Sequence, residues 1–197
     1  MSGIVVSHGL GASDDSVWFP YLGRELAKSG HTVTVPRLPE PQAPDLTAWR
    51  TAFGAAAVAA GPAEDTVLVG HSVGGANVLR FLEQCDAEAH GRFAGVLLVA
   101  TPAQDVGYDL LKEFFAEPFD WAAIRRTAHG FRVLQAVDDP VNQPDPAAHA
   151  RDLVRGLGAT AVLTAEGAHF GATPDDHVEV PEAVRLVLEL LAGRGVR

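Results

Sequence analysis

Five consecutive residues, Gly70-His71-Ser72-Val73-Gly74, have the composition and order of a site for nucleophilic chemistry. They follow a β-branched apolar run and precede a segment whose apolar residues recur at helical spacing. A serine between two glycines, at the turn from a strand to a helix, is typical of a nucleophile elbow. The turn is so tight that bulky flanking residues would collide, and the serine hydroxyl stands clear of the sheet. The pattern predicts that Ser72 is a nucleophile.

A serine hydroxyl is a poor nucleophile at neutral pH, so it needs a base, and a carboxylate usually orients that base. Two adjacent carboxylates follow a predicted strand, in Asp138-Asp139-Pro140. They point in different directions, so only one of them can reach an imidazole. Because Pro140 pushes the residue before it into an extended turn, we favour Asp139 over Asp138. Asp105 and Asp109, which follow an earlier strand, are weaker alternatives.

The candidate base is His169, which directly follows the last predicted strand. Its small neighbours allow that loop to fold back over the elbow. His177 lies eight residues further along, in a polar run, and is the alternative. His71 is next to the nucleophile in sequence, so its side chain should point elsewhere and have a structural role.

A negative oxygen formed during acyl transfer needs two backbone N–H donors. The first donor is predicted to be Val73, at the start of the helix that follows Ser72. The second is Leu10, in the loop His8-Gly9-Leu10-Gly11 after the first predicted strand, which His8 is expected to brace. The sequence has no H-E-x-x-H, H-x-H or C-x-x-C pattern, so we expect neither a metal nor a cofactor.

The elements that must position these residues alternate along the chain. Strands are predicted at residues 3–7, 32–35, 66–69, 94–100, 131–137 and 159–164. Helices are predicted at residues 17–29, 46–60, 73–88, 147–157 and 181–192. This alternation predicts an α/β fold: a doubly wound, mainly parallel sheet of about six strands with helices on both faces.

One stretch interrupts the alternation, and we call residues 101–130 the aromatic segment. Its candidate pocket residues are Tyr108, Phe115, Phe119 and Trp121, and Pro118 prevents a single continuous helix. Two interpretations remain open: ordinary packing beneath a loop, or a small lid or cap that lines the substrate pocket. The same side chains could serve both purposes.

The composition excludes several classes of protein. The formal net charge is −10, so no basic surplus exists to bind nucleic acid or an anionic membrane. One cysteine, Cys85, excludes an internal disulfide framework and fits a reducing compartment. With neither a signal-peptide pattern nor a transmembrane run, we expect a cytoplasmic protein. Residues 1–197 fit a single domain, and its expected partner is a small-molecule ester or acyl substrate.

Taken together, these features resemble the α/β-hydrolase superfamily, and within it the small serine hydrolases typified by retinoblastoma-binding protein nine. The resemblance covers nearly the whole chain. The matching motifs are G-H-S-x-G at residues 70–74, D-D-P at 138–140, G-x-H-F at 167–170 and P-[FW]-x-W at 118–121. The resemblance implies Ser72, Asp139 and His169 as nucleophile, acid and base, on about six parallel strands without a large cap. The loop at residues 8–11 departs from the family pattern and is more similar to general esterases.

The function expected from these residues is a serine esterase that works through a Ser-Asp-His triad and an acyl-enzyme intermediate. Two alternatives remain. The same site could carry out lyase or cofactor-free peroxidase chemistry, or the chain could be a binding protein on a hydrolase scaffold. The intact order of serine, acid and histidine favours catalysis, because a pure binding protein needs none of the three.

Overall fold

The computed structural model describes residues 1–171 and 178–193. Within them, six strands form one sheet in which every neighbouring pair is parallel. The strands are β1 (Gly3–Ser7), β2 (Thr32–Thr34), β3 (Thr66–His71), β4 (Gly95–Val99), β5 (Phe131–Ala136) and β6 (Thr160–Thr164). Their order across the sheet is β2-β1-β3-β4-β5-β6. The α/β fold predicted from the sequence is therefore confirmed.

Helices cover both faces of the sheet. They are α1 (Phe19–Ala27), α2 (Leu46–Ala59), α3 (Val73–Leu82), α4 (Ala87–His90), α5 (Lys112–Phe115), α6 (Trp121–Arg126), α7 (Pro146–Leu157) and α8 (Pro181–Ala192). The side chains of α2, α3 and α7 pack into one buried cluster, and those of α1 and α8 into another. Successive strand residues alternate between the clusters: Leu68 faces the first, whereas Val67 and Val69 face the second. The inner strands β1, β3, β4 and β5 are consequently buried and largely apolar on both sides.

Local signals set the boundaries of the helices. The carboxylates of Asp45 and Asp145 accept backbone N–H groups at the beginnings of α2 and α7, which is where N-terminal caps are expected. The helix predicted at residues 73–88 is instead divided. It ends at Leu82, and α4 begins after Asp86, whose carboxylate accepts two N–H groups of the new helix. The predicted strand at residues 94–100 ends at Val99, because Ala100 has φ 47°.

A membrane-spanning helix would need a long apolar stretch. Across the part of the chain that the structure describes, every helix is too short or too polar for that purpose.

Candidate active site

Ser72 occupies the turn between β3 and α3 with strained backbone angles of φ 57° and ψ −134°. The flanking glycines are required by close approach of the backbone. A Cβ atom on Gly70 would lie 2.3 Å from the Cα of Gly75, and one on Gly74 would lie 2.1 Å from the carbonyl oxygen of Ser7. The local geometry is therefore that of the tight strand-to-helix elbow predicted from the sequence.

Two side chains from distant parts of the chain meet at this turn. The Nε2 atom of His169 lies 2.8 Å from the Oγ atom of Ser72, and its Nδ1 atom lies 2.9 Å from each carboxylate oxygen of Asp139. With a proton on Nδ1 donated to Asp139, Nε2 is free to accept the hydroxyl proton of Ser72. Both His169 and Asp139 are buried. The structure thus brings together the three residues that the sequence singled out.

The competing candidates lie elsewhere. The carboxylate of Asp138 is exposed and accepts the backbone N–H of Ala168 at 2.9 Å, so it contacts the loop of the histidine rather than its ring. Asp105 accepts the N–H of Gly107, and Asp109 forms an exposed ion pair with a lysine three residues further on. His177 lies outside the described residues.

A dense set of donors surrounds the buried carboxylate of Asp139. One oxygen accepts the N–H groups of Val141 and Asn142 at 2.8 and 3.2 Å, and the other accepts the side-chain amide of Gln135 at 2.8 Å. Burial alone would raise the pKa of Asp139. The hydrogen bond and charge of His169, together with the hydrogen bonds from Gln135 and Val141, outweigh burial and lower this pKa. This carboxyl group therefore stays ionised.

Sequence reasoning did not identify the side chains behind Asp139. Gln135 is fully buried on β5, and its amide oxygen accepts a hydrogen bond from Asn142 at 3.1 Å. The Asn142 amide also donates to the carbonyl of Ala100, the residue with φ 47° at the end of β4. The available signal was a glutamine within an otherwise apolar strand, because a buried polar side chain must find partners.

Residues 167–171, which we call the base loop, have an unusual backbone. Four of them have positive φ: Gly167 at 151°, Ala168 at 43°, Phe170 at 51° and Gly171 at 99°. Such conformations persist only where the surroundings hold them. The Asp138 carboxylate holds the N–H of Ala168, and a ring nitrogen of the elbow histidine contacts the carbonyl oxygen of His169.

The loop after β1 lies directly against the elbow. A Cβ atom on Gly9 would be 3.1 Å from the Cβ of Ser72. The His8 ring is buried; its Nδ1–H donates to the carbonyl of Gly9 at 2.9 Å, and its Nε2 accepts the N–H of Leu38 at 3.4 Å. Burial lowers the pKa of His8, so its ring is neutral and both of its nitrogens stabilise the loop that carries Leu10.

A cavity of about 530 Å³ opens beside Ser72 and His169. Tyr108 lines it, as the sequence predicted, and so does Leu10. The other three aromatic candidates do not. Phe115, Phe119 and Trp121 line a separate cavity of about 660 Å³ beside α7, so their assignment to the Ser72 pocket is corrected here.

Arg80, near the end of α3, accounts for the position of these aromatic rings. Its guanidinium group lies 4.1 Å from the ring centroid of Phe119 and donates to the carbonyl groups of Phe114 and Glu117. The indole of Trp121 packs directly over Gly156 of α7, where a Cβ would approach it to 2.4 Å. These contacts turn the aromatic side chains toward α3 and α7 and away from Ser72.

Metal binding and thiol chemistry are the two other kinds of reactivity that histidine, carboxylate and cysteine side chains could supply. Within residues 1–171 and 178–193, no cluster of three or more histidine, cysteine, aspartate or glutamate side chains is arranged to hold a metal ion. Burial raises the pKa of the half-buried Cys85 to about 11, so its thiol is unreactive near neutral pH.

The parallel sheet, the elbow and the small size define an α/β hydrolase. The model of the serine hydrolase family matches residues 4–189, and the chain belongs to that family. YdeN of Bacillus subtilis (strain 168) is 29% identical over 168 residues, which cover 85% of each chain. The crystal structure of the ydeN gene product superposes with a TM-score of 0.87 and 25% identity, over 98% of this chain and 100% of that chain.

A more distant neighbour shares the fold alone. Est1E from Butyrivibrio proteoclasticus, in a structure with bound ferulic acid, matches with a TM-score of 0.74 and 13% identity. The match covers 98% of this chain and 90% of that chain.

Proposed function

We propose that this protein is a serine esterase that hydrolyses small carboxylic esters through an acyl-enzyme intermediate. One observation carries the proposal: the continuous hydrogen-bonded series from the Ser72 hydroxyl through the His169 ring to the Asp139 carboxylate. This arrangement can remove the proton of a serine hydroxyl during nucleophilic attack.

The reaction begins when the Oγ atom of Ser72 attacks the ester carbonyl carbon while Nε2 of His169 takes the hydroxyl proton. The carbonyl oxygen becomes negative and accepts hydrogen bonds from the backbone N–H groups of Leu10 and Val73. The positive end of the α3 dipole, at Val73, also favours that negative charge. When the intermediate collapses, the carbon–oxygen bond to the alcohol breaks, and Nε2 returns its proton to the departing oxygen.

Water then hydrolyses the acyl-enzyme by the same steps. His169 removes a proton from water, the resulting hydroxide attacks the acyl carbon, and the Ser72 oxygen leaves with the proton from His169. Asp139 remains a carboxylate throughout, fixes the tautomer of the ring and stabilises the transient imidazolium. Every proton transfer uses a side chain of the chain itself, so the reaction as proposed requires no cofactor. We expect it to occur in the cytoplasm, because a single cysteine fits a reducing compartment.

The relatives support this proposal at a coarser level. Membership of the serine hydrolase family supports a serine nucleophile. Among the fold neighbours, Est1E has been crystallised with ferulic acid, a carboxylic acid of the kind that ester hydrolysis releases, and another is named polyneuridine aldehyde esterase. These two matches are of the fold, so the choice of an ester substrate depends mainly on the site itself.

A fluorophosphonate probe, which reacts with activated serines, tests the proposal directly. We expect the probe to label the wild-type protein and p-nitrophenyl butyrate to be hydrolysed. Ser72→Ala should abolish both, whereas the control Ser29→Ala, at an exposed site beyond α1, should change neither. A folded wild-type protein that neither reacts with the probe nor cleaves the ester contradicts the proposal and favours a binding protein. Labelling without ester hydrolysis would favour lyase or peroxidase chemistry at the same serine.

A further inference from the structure

The described lining of the cavity beside Ser72 includes no permanently charged side chain. Apart from two histidines, its described lining is apolar, hydroxyl or glycine, and no described aspartate, glutamate, lysine or arginine takes part. The apolar part comes from four separate loops and includes Leu10, Leu111, Val141 and Val178. The polar exceptions are the hydroxyl groups of Ser16, Ser72 and Tyr108 and the two histidines of the elbow and the base loop.

Two exposed carboxylates lie next in sequence to one side of this cavity. Asp14 and Asp15 immediately precede Ser16. Asp109 is also exposed but forms an ion pair with Lys112, so that pair adds no net charge. Together with the net charge of −10, Asp14 and Asp15 make the approach to the cavity unfavourable for an anion.

We propose that the site accepts uncharged esters with an apolar acyl group and rejects esters that carry a negative charge. This inference depends on the esterase function proposed above. A charged group that enters the cavity loses hydration and finds no opposite charge among its described lining, and the cost of such burial is large. An anion is also repelled during its approach, so it should be the poorest substrate.

Three p-nitrophenyl esters of similar length test this inference: the neutral valerate, the anionic glutarate monoester and the cationic 4-(trimethylammonio)butyrate. We expect kcat/KM for the neutral ester to exceed that for the anionic ester by about 100-fold and that for the cationic ester by about tenfold. The anionic penalty should persist at 0.5 M salt, where long-range repulsion is screened and only the uncharged lining remains effective.

A positive charge introduced at the cavity provides a second test. Tyr108 is 45% exposed at the cavity, so Tyr108→Arg should raise the anionic-to-neutral ratio of kcat/KM about tenfold, whereas the matched control Tyr108→Gln should leave that ratio unchanged. Equal hydrolysis of the anionic and neutral esters, or fastest hydrolysis of the cationic ester, overturns the inference. Fluorophosphonate labelling of Ser72 does not depend on ester charge, so its loss indicates failure of the esterase proposal instead.

A separate observation concerns His71, the residue before the nucleophile. Its ring is buried, and its Nε2–H donates to the backbone carbonyl of His169 at 2.8 Å. The rings of Trp18 and Phe19 pack edge-on against it at 5.9 Å, which fixes its orientation. Its Nδ1 atom is buried without a hydrogen-bond partner, an arrangement that structures rarely retain without a reason.

Burial keeps the His71 ring neutral. Loss of hydration, followed by the nearby His169, lowers its pKa to about 3, and contributions from Asp139 in the opposite direction are smaller. The ring therefore presents the same N–H donor at every pH near neutrality. The carbonyl that receives this donor belongs to a loop in which both neighbours of His169, Ala168 and Phe170, have positive φ.

We infer that His71 is a positioning residue, which holds the backbone of the proposed base so that the His169 ring meets the Ser72 hydroxyl. A misplacement of about 1 Å at a reacting group can reduce a rate by about 100-fold. His71→Phe, which fills the site without a donor, should therefore lower kcat about 10- to 100-fold with little change in KM. His71→Gln, whose amide can donate from a similar position, should restore most of kcat.

Activity must be compared for equally folded protein, so circular dichroism and thermal melting accompany the kinetics. A purely structural role predicts that kcat per folded molecule follows stability and that the glutamine variant gives no selective recovery. A phenylalanine variant with wild-type kcat, or a glutamine variant no better than the phenylalanine variant at equal stability, overturns the inference.

Discussion

The loops around Ser72 and the adjacent aromatic segment contrast in how their side chains are held. The Asp139 carboxylate accepts hydrogen bonds from His169, Gln135 and Val141, and the base loop has strained backbone angles. The aromatic segment has instead a cation stacked on Phe119 and an indole packed on a glycine. The first region is organised by directional polar contacts, whereas the second combines hydrogen bonds from Arg80 with the packing of aromatic rings. Chemistry should therefore be sensitive to small changes in the first region, and stability to changes in the second.

The largest expected effect is the loss of kcat when Asp139, in the first region, is changed. Asp139→Asn should reduce kcat by about 10³- to 10⁴-fold, because the amide no longer enforces the ring tautomer or stabilises the imidazolium. Steady-state hydrolysis of p-nitrophenyl butyrate measures the loss. The matched control is Asp138→Asn, whose side-chain oxygen can still accept the N–H of Ala168, and its kcat should fall less than about tenfold. A loss of equal size in the two variants contradicts the assignment of Asp139.

A change in the aromatic segment should lower stability and leave kcat and KM nearly unchanged. Phe119→Ala removes a ring that is 7% exposed and stacked on Arg80, so the free energy of unfolding should fall by about 3 kcal/mol. Urea unfolding measures this change, and kinetics on the folded variant should give kcat and KM within about twofold of wild type. A large increase in KM would instead return Phe119 to the substrate pocket.

The smallest expected effect concerns pH and the buried histidine of the elbow. A histidine whose folded pKa lies below its unfolded value contributes stability above the unfolded value, and this contribution is lost as the pH falls toward the folded pKa. Between pH 6.5 and 5, His71 should thus cost the wild-type protein about 2 kcal/mol of unfolding free energy. Denaturant unfolding at the two pH values should give a smaller loss for His71→Gln.

Two other histidines change stability in the same direction. Burial also lowers the pKa values of His8 and His149, so the absolute decline of the wild-type protein includes their contributions. The difference in pH dependence of the unfolding free energy between the wild-type protein and His71→Gln isolates the contribution of His71. An identical pH dependence in the two proteins would show that the His71 ring is already accessible to protons.

Three side chains that the sequence singled out lie in contact in the structure, and their positions follow from general rules. Parallel strands bring their carboxyl ends to one edge of a sheet, and Ser72, Asp139 and His169 each follow such a strand in the expected order. Pro140 and the elbow glycines added local constraints that a single sequence displays. The structure places these three side chains in contact, and their catalytic role remains the prediction that the variants above test.

The positions of the aromatic side chains and of the His71 ring depend on tertiary contacts, which residue spacing does not predict. Phe119 faces away from Ser72 because its partner is Arg80, 39 residues earlier, and Trp121 packs on Gly156, 35 residues later. Periodicity identifies such residues as apolar, but it does not identify the helix against which they pack. The contact of His71 with the carbonyl of His169 spans 98 residues, and residue spacing does not predict it either.

The close approach of Gly74 to β1 has a consequence for redesign of this protein. The carbonyl oxygens of Ser7 and His8 occupy the space that a side chain at position 74 would need. Helix α3, which presents Val73, and the loop that presents Leu10 thus touch through bare backbone, and neither can shift without the other. This close backbone contact limits how far α3 and that loop can move apart or together. Attempts to broaden substrate range should vary the outer loops and leave this junction intact.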